Sequence, residues 1–392
     1  MDALTTPSNW QRVRLGDIGK PCMCKRVMKH QTTRYGEIPF YKIGTFGNTA
    51  DAFISKKLFL EYKTKYSFPK KGDILISASG TIGRAVIYDG KPAYFQDSNI
   101  VWIDNDETLV KNDFLFYAYS NVKWDTEHTT ILRLYNDNFR NTLIPLPPLH
   151  EQIAIANILS DVDRYLYSLD ALILKKESVK KALSFELLSQ RKRLKGFNQA
   201  WQRVRLGDIC EIGNGGAYET LIVENGNFKL ISLNSIDIDG NLKNTMKRVN
   251  FYDNSLKQDD IVIVLSDVAH GDFLGLCAVI PSNDYVLNQR MGRLRKKNDR
   301  INILFLRLYI NANQKYFKMQ GQGSSQLNLS KKAIENFEIL LPPLNEQIAI
   351  ANILSALDHE IISLKNKKRQ FENIKKALNH DLMSAKIRVL KK

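Results

Sequence analysis

The sequence predicts an α+β protein with two similar mixed α/β domains and two long antiparallel coiled-coil helices, arranged with pseudo-twofold symmetry. Three observations predict this fold: a nonapeptide that occurs twice, a longer segment that also occurs twice, and an apolar stripe of helical spacing after each copy of that segment. A chain of 392 residues is long enough for two or three domains, each with its own core. A single compact domain is therefore not expected.

The two repeats divide the chain into halves. WQRVRLGDI occurs at residues 10–18 and again, unchanged, at 201–209. LPPLHEQIAIANILSDVD at 146–163 returns at 341–358 with 15 of its 18 positions unchanged. The segments between these motifs diverge much further, and uneven decay after a recent duplication is one explanation. The alternative is that the repeated ends meet something common to both halves, whereas each divergent middle meets something of its own.

Each copy of the longer segment opens a predicted helix. A proline pair suits the first turn of a helix, and the first copy then has no Gly or Pro before Gly196, a run of about 45 residues. Residues at alternating spacings of three and four form a seam of seven apolar residues and two lysines in each helix, which is typical of a coiled coil. The seam positions are Leu159, Val162, Leu166, Leu169, Ile173, Lys176, Lys180, Leu183 and Leu187, then Leu354, Leu357, Ile361, Leu364, Lys368, Phe371, Lys375, Leu378 and Leu382. Two such helices in a duplicated chain are expected to pair with each other.

The divergent middle of each half reads as small β-sheets with one or two helices. Short β-branched and aromatic runs between Gly, Asn and Asp turns predict the strands. Helical periodicity covers residues 111–122 and 302–317. The predicted strands lie at residues 38–43, 73–77, 99–103, 228–233, 260–265 and 277–280.

Composition and motifs favour a cytoplasmic binding protein. The formal net charge of +16 indicates a polyanionic partner, most often nucleic acid. No run approaches the ~18 apolar residues of a membrane span, and the N-terminus does not resemble a signal peptide, so no membrane partner is expected. The patterns GxxxxGK[ST], GxGxxG, HExxH and GxSxG are absent, as is Asn/Asp-Pro-Pro before an aromatic residue. We therefore expect no catalytic residue and no bound cofactor. Cys22 and Cys24 lack the second half of a zinc site, so no metal site is expected either.

Polar and basic loops that follow predicted strands are the candidate DNA-binding segments. Asn and Gln suit adenine, Arg suits guanine, and Lys or Arg on a phosphate fixes the register of the protein on DNA. The lysine and arginine clusters on the helices are instead expected to serve solubility and helix pairing. The candidate DNA-binding residues are Ser77, Ser79, Thr81, Arg84, Gln96, Asn99, Ser266, His270, Asn288, Gln289, Arg290, Arg293, Gln322, Ser324, Ser325 and Gln326.

The motif LPPLxEQxxIAxIL, at the start of a long helix in both halves, resembles that of the specificity (S) subunits of Type I restriction-modification systems. The resemblance extends over essentially the whole chain, because each half opens with WxxVxLGDI and closes with PPLxEQ. KGDIL at 71–75 and LNQR at 287–290 are also similar to recurring elements of the family's recognition domains. The first half departs from the latter element, with FQDS at 95–98.

This resemblance implies a subunit without catalytic activity, whose two domains each read one half of a bipartite, asymmetric target in double-stranded DNA. It implies target-recognition domains at 1–148 and 196–343, a central conserved helix at 149–195 and a C-terminal conserved helix at 344–392. The paired helices would set the gap between the half-sites and dock two adenine-N6 methyltransferase subunits. S-adenosylmethionine, ATP and Mg would be bound by partner subunits, which include restriction/translocase subunits.

Two other functions remain open from the sequence. One is an enzyme whose nuclease or methyltransferase site has an unfamiliar form, and the missing motifs argue against it. The other is a coiled-coil interaction scaffold without sequence-specific DNA reading. Methyl transfer by the chain alone would favour the first, and sequence-independent, salt-insensitive behaviour toward DNA would favour the second.

Overall fold

The computed structural model describes residues 9–128, 132–268 and 271–389. They form two compact units: unit 1 comprises Met1–Asp170 with Asn366–Lys392, and unit 2 comprises Ala171–Lys365. Each unit thus contains one mixed α/β domain, part of one long helix and part of the other. We call the α/β parts the first and second domains.

The first domain contains eleven strands and four short helices among the described residues. Its elements and the long helix that follows are β1 (Gln11–Arg14), α1 (Leu15–Ile18), β2 (Gly19–Met23), β3 (Ile38–Tyr41), β4 (Phe53–Ile54), α2 (Lys56–Lys65), β5 (Ile74–Ser77), β6 (Ala85–Ile87), β7 (Tyr94–Phe95), β8 (Ile100–Asn105), α3 (Asn112–Tyr119), β9 (Glu127–His128), β10 (Leu132–Arg133), α4 (Asn136–Asn141), β11 (Leu143–Leu146) and α5 (Leu149–Leu188). The sheet orders are β2-β8-β5-β6, β4-β3-β7, β1-β11 and β10-β9, with β3 and β7 parallel.

The second domain repeats most of this plan. Its elements and the second long helix are β12 (Gln202–Arg205), α6 (Leu206–Ile209), β13 (Cys210–Asn214), β14 (Phe228–Ile231), β15 (Arg248–Val249), β16 (Ile261–Val264), β17 (Ser266–Val268), β18 (Cys277–Val279), β19 (Tyr285–Leu287), β20 (Met291–Lys296), α7 (Ile303–Ala312), α8 (Gln314–Gln320), β21 (Gln326–Asn328), α9 (Lys331–Glu335), β22 (Glu338–Leu341) and α10 (Leu344–Met383). The sheet orders are β13-β20-β16-β18, β15-β14-β19, β12-β22 and β17-β21, with β14 and β19 parallel.

The central strands are apolar in succession because their sheets are covered on both faces. On β5, Ile74 and Ile76 face one buried cluster while Leu75 faces another. On β16, Ile261 and Ile263 likewise join one cluster while Val262 and Val264 join a second. Alternate side chains of a strand point to opposite faces, so burial of both faces produces an unbroken apolar run. The mixed α/β prediction for both domains is confirmed.

The two repeated motifs, which lie far apart in the sequence, meet in space within each unit. In unit 1, β1 pairs antiparallel with β11, so that Gln11 lies opposite Leu146. In unit 2, β12 pairs with β22 in the same register, with Gln202 opposite Leu341. The nonapeptide therefore ends up beside the proline pair that opens each long helix.

A buried glutamate ties three segments of unit 1 together. Glu151, in the first turn of α5, accepts hydrogen bonds from the Trp10 indole nitrogen at 3.0 Å and from Arg388 Nε at 2.8 Å. Arg388 follows the end of α10, so the carboxylate joins the nonapeptide, α5 and the chain beyond α10. The neighbouring Gln152 bonds to the backbone N–H of Lys111 and to the Pro147 carbonyl oxygen, at 2.9 and 2.8 Å.

The same arrangement recurs in unit 2. Glu346 lies 195 residues after Glu151, and Arg193 lies 195 residues before Arg388. Glu346 accepts hydrogen bonds from the Trp201 indole nitrogen at 3.0 Å and from Arg193 Nη2 at 2.6 Å. Its side chain is fully buried. The Gln347 side chain accepts a hydrogen bond from the backbone N–H of Asn302 and donates one to the Pro342 carbonyl oxygen, both at 2.8 Å. Much of the repeated sequence thus serves contacts inside each unit.

The long helices pair antiparallel within each unit, as predicted. In unit 1, Asp163 and Asp170 of α5 bind Lys375 and Lys368 of α10 at 2.5 and 2.7 Å, so later positions on one helix meet earlier positions on the other. All predicted seam positions are buried or half-buried. The other two seam lysines are in unit 2.

In unit 2, Lys176 of α5 binds Glu360 of α10 at 2.8 Å, and Lys180 forms an ion pair with Asp358. Each of the four lysines that interrupt the apolar seam is therefore neutralised by a carboxylate of the partner helix. Polar or charged groups at seam positions are known to fix the register of coiled coils. We infer the same role for these lysines.

The long helices end seven and nine residues before the predicted segments do. α5 ends at Leu188 and α10 ends at Met383, a length of 40 residues each. Gln190 and Ala385, at equivalent positions, have left-handed φ values of 62° and 57°. This conformation ends a helix, and here it turns the chain back toward the buried glutamate.

We expect Glu151→Ala to destabilise unit 1 locally by about 3–5 kcal/mol, because the change leaves the Arg388 charge and the Trp10 N–H without their acceptor. Amide hydrogen exchange, followed by peptide, should show lost protection in β1, β11 and the start of α5.

The matched control is Glu338→Ala, whose carboxylate is 49% exposed and binds the still more exposed Arg203 at 2.7 Å. Exposed ion pairs contribute about 0–1 kcal/mol, so protection around Glu338 should change little. Equal losses from the two substitutions would contradict a structural role for the buried glutamate.

Candidate nucleic-acid interface

Two predicted loops of the first domain lie side by side. The loop after β5 and the loop between β7 and β8 are joined by a hydrogen bond from the Ala78 amide to the Asn99 carbonyl oxygen, at 2.8 Å. The Ser79 hydroxyl donates to Asn99 Oδ1 at 2.7 Å. Arg133 contributes a β-bridge to Ser79 from a third segment. The sequence-predicted residues of this domain are thus brought together.

The small polar residues of the first loop mainly stabilise its own shape. Ser77 is buried; its hydroxyl donates to the Thr81 carbonyl oxygen and accepts from the Arg84 amide at 2.9 Å. The Thr81 and Arg84 side chains are exposed. One Arg84 nitrogen binds the Phe46 carbonyl oxygen at 2.9 Å.

The loop between β7 and β8 borders a cleft of about 470 Å³, which we call the first-domain cleft. Its wall carries Gln96 and Asn99, both of which the sequence predicts. It also carries four basic residues that the sequence reasoning missed: Arg26, Lys29, Lys42 and Arg133. The charge run KRVMKH at 25–30, just after β2, was the one local signal for the first two.

Gln96 presents hydrogen-bond donors to this cleft. Its side-chain oxygen accepts from the Ile43 amide at 2.9 Å, which fixes the side-chain nitrogen as the outward group. The neighbouring Ser98 has a left-handed φ of 59°. Such a conformation costs a non-glycine residue about 1 kcal/mol or more, and it tends to be retained at functional loops.

The equivalent loop of the second domain lies between β19 and β20. Asn288 is fully buried; its amide donates to Glu219 Oε1 at 2.7 Å and accepts from the Tyr218 amide at 3.1 Å. Gln289 and Arg290 are exposed, and Arg290 has a φ of 69°, close to that of Ser98. Asn288 therefore positions the loop, and the next two side chains project from it.

Two further predicted segments of the second domain are adjacent. Strands β17 and β21 pair antiparallel, and the Gln326 amide donates to the hydroxyl of the buried Ser266. Before β21, the chain exposes Gln322, Ser324 and Ser325. His270 lies outside the described residues.

Arg293 is engaged inside the protein. Its Nη2 binds Glu211 at 2.5 Å and its Nη1 donates to the Ser255 carbonyl oxygen at 3.1 Å. The side chain is only 13% exposed. The predicted residues therefore divide into two groups. Exposed are Thr81, Arg84, Gln289, Arg290, Gln322, Ser324 and Ser325, whereas Ser77, Ser79, Gln96, Asn99, Ser266, Asn288, Arg293 and Gln326 are buried or half-buried and bonded within the protein.

A second surface is formed by the repeated helix starts. Some residues of this repeat are buried in both copies, and their identity is explained by packing. Others are exposed in both copies and have no such explanation. These exposed apolar pairs are Leu149 and Leu344, Ile153 and Ile348, and Ile158 and Ile353. Leu149 and Ile153 lie one turn apart on α5, as do Leu344 and Ile348 on α10, and we call each of these two apolar rows a helix-start row. Ile158 and Ile353 lie on the other side of their helices.

Burial disfavours the charged thiolate form of all four cysteines. Burial raises the pKa of Cys24, Cys210 and Cys277 to about 12, and burial also raises the pKa of Cys22. The thiolate is the nucleophilic form of cysteine, so a raised pKa lowers the reactivity of these side chains at neutral pH. Over residues 9–128, 132–268 and 271–389, no cluster of three His, Cys, Asp or Glu side chains could hold a metal ion. None of the helices in these ranges combines the length and the apolar composition of a membrane-spanning segment.

Comparison with known proteins identifies the family that has this architecture. The family model described as Type I restriction modification DNA specificity domain matches residues 7–176 and 198–373. A Type I restriction enzyme specificity subunit of Methanocaldococcus jannaschii is 30% identical over 99% of this chain and 95% of its own length. A putative specificity subunit of Haemophilus influenzae is 64% identical over 148 residues, which is 38% of either chain.

Among solved structures, the S subunit of a Type I restriction-modification system from M. genitalium matches 98% of this chain and 99% of its own, with a TM-score of 0.65 and 18% identity. That likeness concerns the fold. The family model covers most of the chain in two consecutive matches, one for each half. The chain belongs to the family of Type I restriction-modification DNA specificity subunits, which carry the DNA specificity of these systems and have no catalytic activity of their own.

Proposed function

We propose that each domain of this specificity subunit reads one half of a bipartite, asymmetric DNA target. The observation that carries this proposal is a contrast between exposed residues at equivalent positions. The helix-start rows are identical in the two units, whereas exposed loop residues at equivalent positions differ, as Ser98 and Arg290 do. Identical surfaces suit two copies of one partner, and different loops suit two different sequences.

The buried members of the predicted DNA-binding set are best assigned to loop positioning. Direct readout needs side-chain donors and acceptors that reach base edges in a groove. In the first domain we propose Thr81, Arg84 and Gln96 for this contact, together with the basic residues of the first-domain cleft. In the second domain we propose Gln289, Arg290, Gln322, Ser324 and Ser325.

The helix-start rows are proposed to bind two adenine-N6 methyltransferase subunits, one on each unit. Ile153 and Ile348 are 46% and 37% exposed, and each lies one turn from another exposed apolar residue of its row. Apolar side chains repeated on a helix face form typical anchors for a partner protein. The partner subunits would bind S-adenosylmethionine, ATP and Mg, and restriction/translocase subunits would complete a cytoplasmic complex that cleaves unmodified DNA.

We expect Ile153→Asp to remove one methyltransferase subunit from the complex, because a charge replaces an apolar anchor and weakens that contact about 10- to 100-fold. Ile348→Asp should do the same, and the double variant should bind neither copy. Native mass spectrometry of the reconstituted complex measures these stoichiometries.

Leu174→Asp is the control for this experiment, since Leu174 is 64% exposed on α5 and its equivalent on α10 is Arg369. It should retain both methyltransferase subunits. Unchanged stoichiometry in the Ile153 and Ile348 variants would show that the rows do not bind the partner.

We expect exchange of residues 19–142 for the matching segment of an unrelated family member to change one half of the methylated target and leave the other half intact. The ends of this segment lie next to the β1–β11 pair, so the repeated frame of unit 1 is preserved. Sequencing of methylated adenines in cells that express the subunit with its methyltransferase shows both half-sites. An unaltered target, or a change in both halves, would contradict the assignment of one half-site to each domain.

A further inference from the structure

One arginine of the first-domain cleft is held differently from other carboxylate-bound arginines of the protein. The Nε of Arg26 donates to Asp97 Oδ2 at 2.8 Å. The Asp97 side chain is 15% exposed, whereas that of Arg26 is 67% exposed. The charge-assisted hydrogen bond to the shielded Asp97 carboxylate therefore orients the Arg26 guanidinium, whose outer part faces solvent.

The remaining edge of this guanidinium is open. Arg193, Arg295 and Arg388 each bind a carboxylate through both Nε and Nη2, and their side chains are only 24%, 26% and 29% exposed. Arg26 uses Nε alone, and within the described residues neither of its Nη atoms has a hydrogen-bond acceptor. Two parallel N–H groups thus remain available for one further planar partner.

The surroundings of Arg26 are rich in donors and positive charge. Gln96 turns its NH₂ group outward, and Lys29 and Arg133 lie on the same cleft wall. Lys42, also in the wall, is bound to Asp51 at 2.9 Å. A ligand of this cleft must therefore present acceptors and negative charge, as the edge of a guanine and its flanking phosphates do.

We propose that Arg26 reads a guanine in the half-site of the first domain, donating from Nη1 and Nη2 to the O6 and N7 acceptors of that base. This inference rests on the proposed function of the domain. Among the base pairs, only guanine offers these two adjacent acceptors in the major groove. Asp97 is a positioning residue, because its bond to Nε sets the plane of the fork and reduces the conformational freedom lost on binding.

The proposal also explains why the first domain departs from the LNQR element. Asp97 occupies the position of Gln289 in the second domain. A neutral glutamine lacks the negative charge that pairs with an arginine. The two domains therefore differ in the chemical group that supports base reading at the same loop position.

The test uses the complete complex of this subunit with its methyltransferase, assayed on duplexes that carry the methylated target. We expect Arg26→Ala and Arg26→Lys to lose about 10- to 100-fold discrimination at one position of the first half-site, which changes from guanine to any base. The second half-site should remain intact. Lys lacks the planar fork, so it should not rescue the loss.

A base analogue tests the same contact without altering the protein. Replacing the proposed guanine by 7-deazaguanine removes the N7 acceptor, and the wild-type complex should bind this duplex at least several-fold more weakly. The Arg26→Ala complex should not respond to the analogue. Asp97→Ala should lower discrimination at the same position, and Asp97→Asn, which retains an acceptor for Nε, should restore part of it.

Lys29→Ala is the matched control, because an exposed lysine on a phosphate weakens binding to all sequences equally and lowers the salt dependence by about one ion. The same uniform loss in Arg26→Ala would overturn the proposal and assign Arg26 to a phosphate. An unchanged target in Arg26→Ala, with no response of the wild type to the analogue, would also overturn it. Failure of the proposed function has a different signature, in which the wild-type complex methylates no bipartite target.

Discussion

The structure depends on one contact, a buried carboxylate at the start of each long helix. It joins an indole N–H from the nonapeptide to a guanidinium from the chain beyond the other long helix, and both units use it in the same form. A buried charge is tolerated only when it is fully paired, so any arrangement that separated these segments would leave Glu151 or Glu346 unpaired at a high cost. The pair therefore selects one way of assembling three segments that are remote in the sequence.

The seam between the helices places a second constraint on how the segments assemble. Apolar residues alone would allow the helices to slide by a heptad, because each apolar layer resembles the next. Lys180 with Asp358 and Lys375 with Asp163 are repeat-equivalent pairs, so each unit carries one copy of the same constraint. Register and direction of pairing thus depend on a few charges set among many interchangeable apolar contacts.

The fold was largely predictable, whereas the recognition surface was predictable only in part. Repeats and periodicity locate the helices and the central strands, because burial imposes a regular spacing on the sequence. Ser77 and Asn288 have the chemistry of DNA ligands, yet they lie at or directly after the ends of buried strands. Each accepts a hydrogen bond from a backbone amide of the protein, Ser77 from Arg84 and Asn288 from Tyr218. The first-domain cleft is formed by segments near residues 26, 42, 96 and 133, and no local sequence pattern predicts that these segments come together.

The placement of Arg388 has a consequence for biosynthesis. Unit 1 begins with β1, but the guanidinium that neutralises its buried glutamate follows all of unit 2 in the chain. Unit 2 receives Arg193 before Glu346 is made. During translation the Glu151 carboxylate therefore has no guanidinium partner, and the apolar face of α5 in unit 1 stays uncovered, until α10 and Arg388 have been synthesised. Partly folded species with uncovered apolar surface are the ones prone to aggregation, and the nascent first half is such a species.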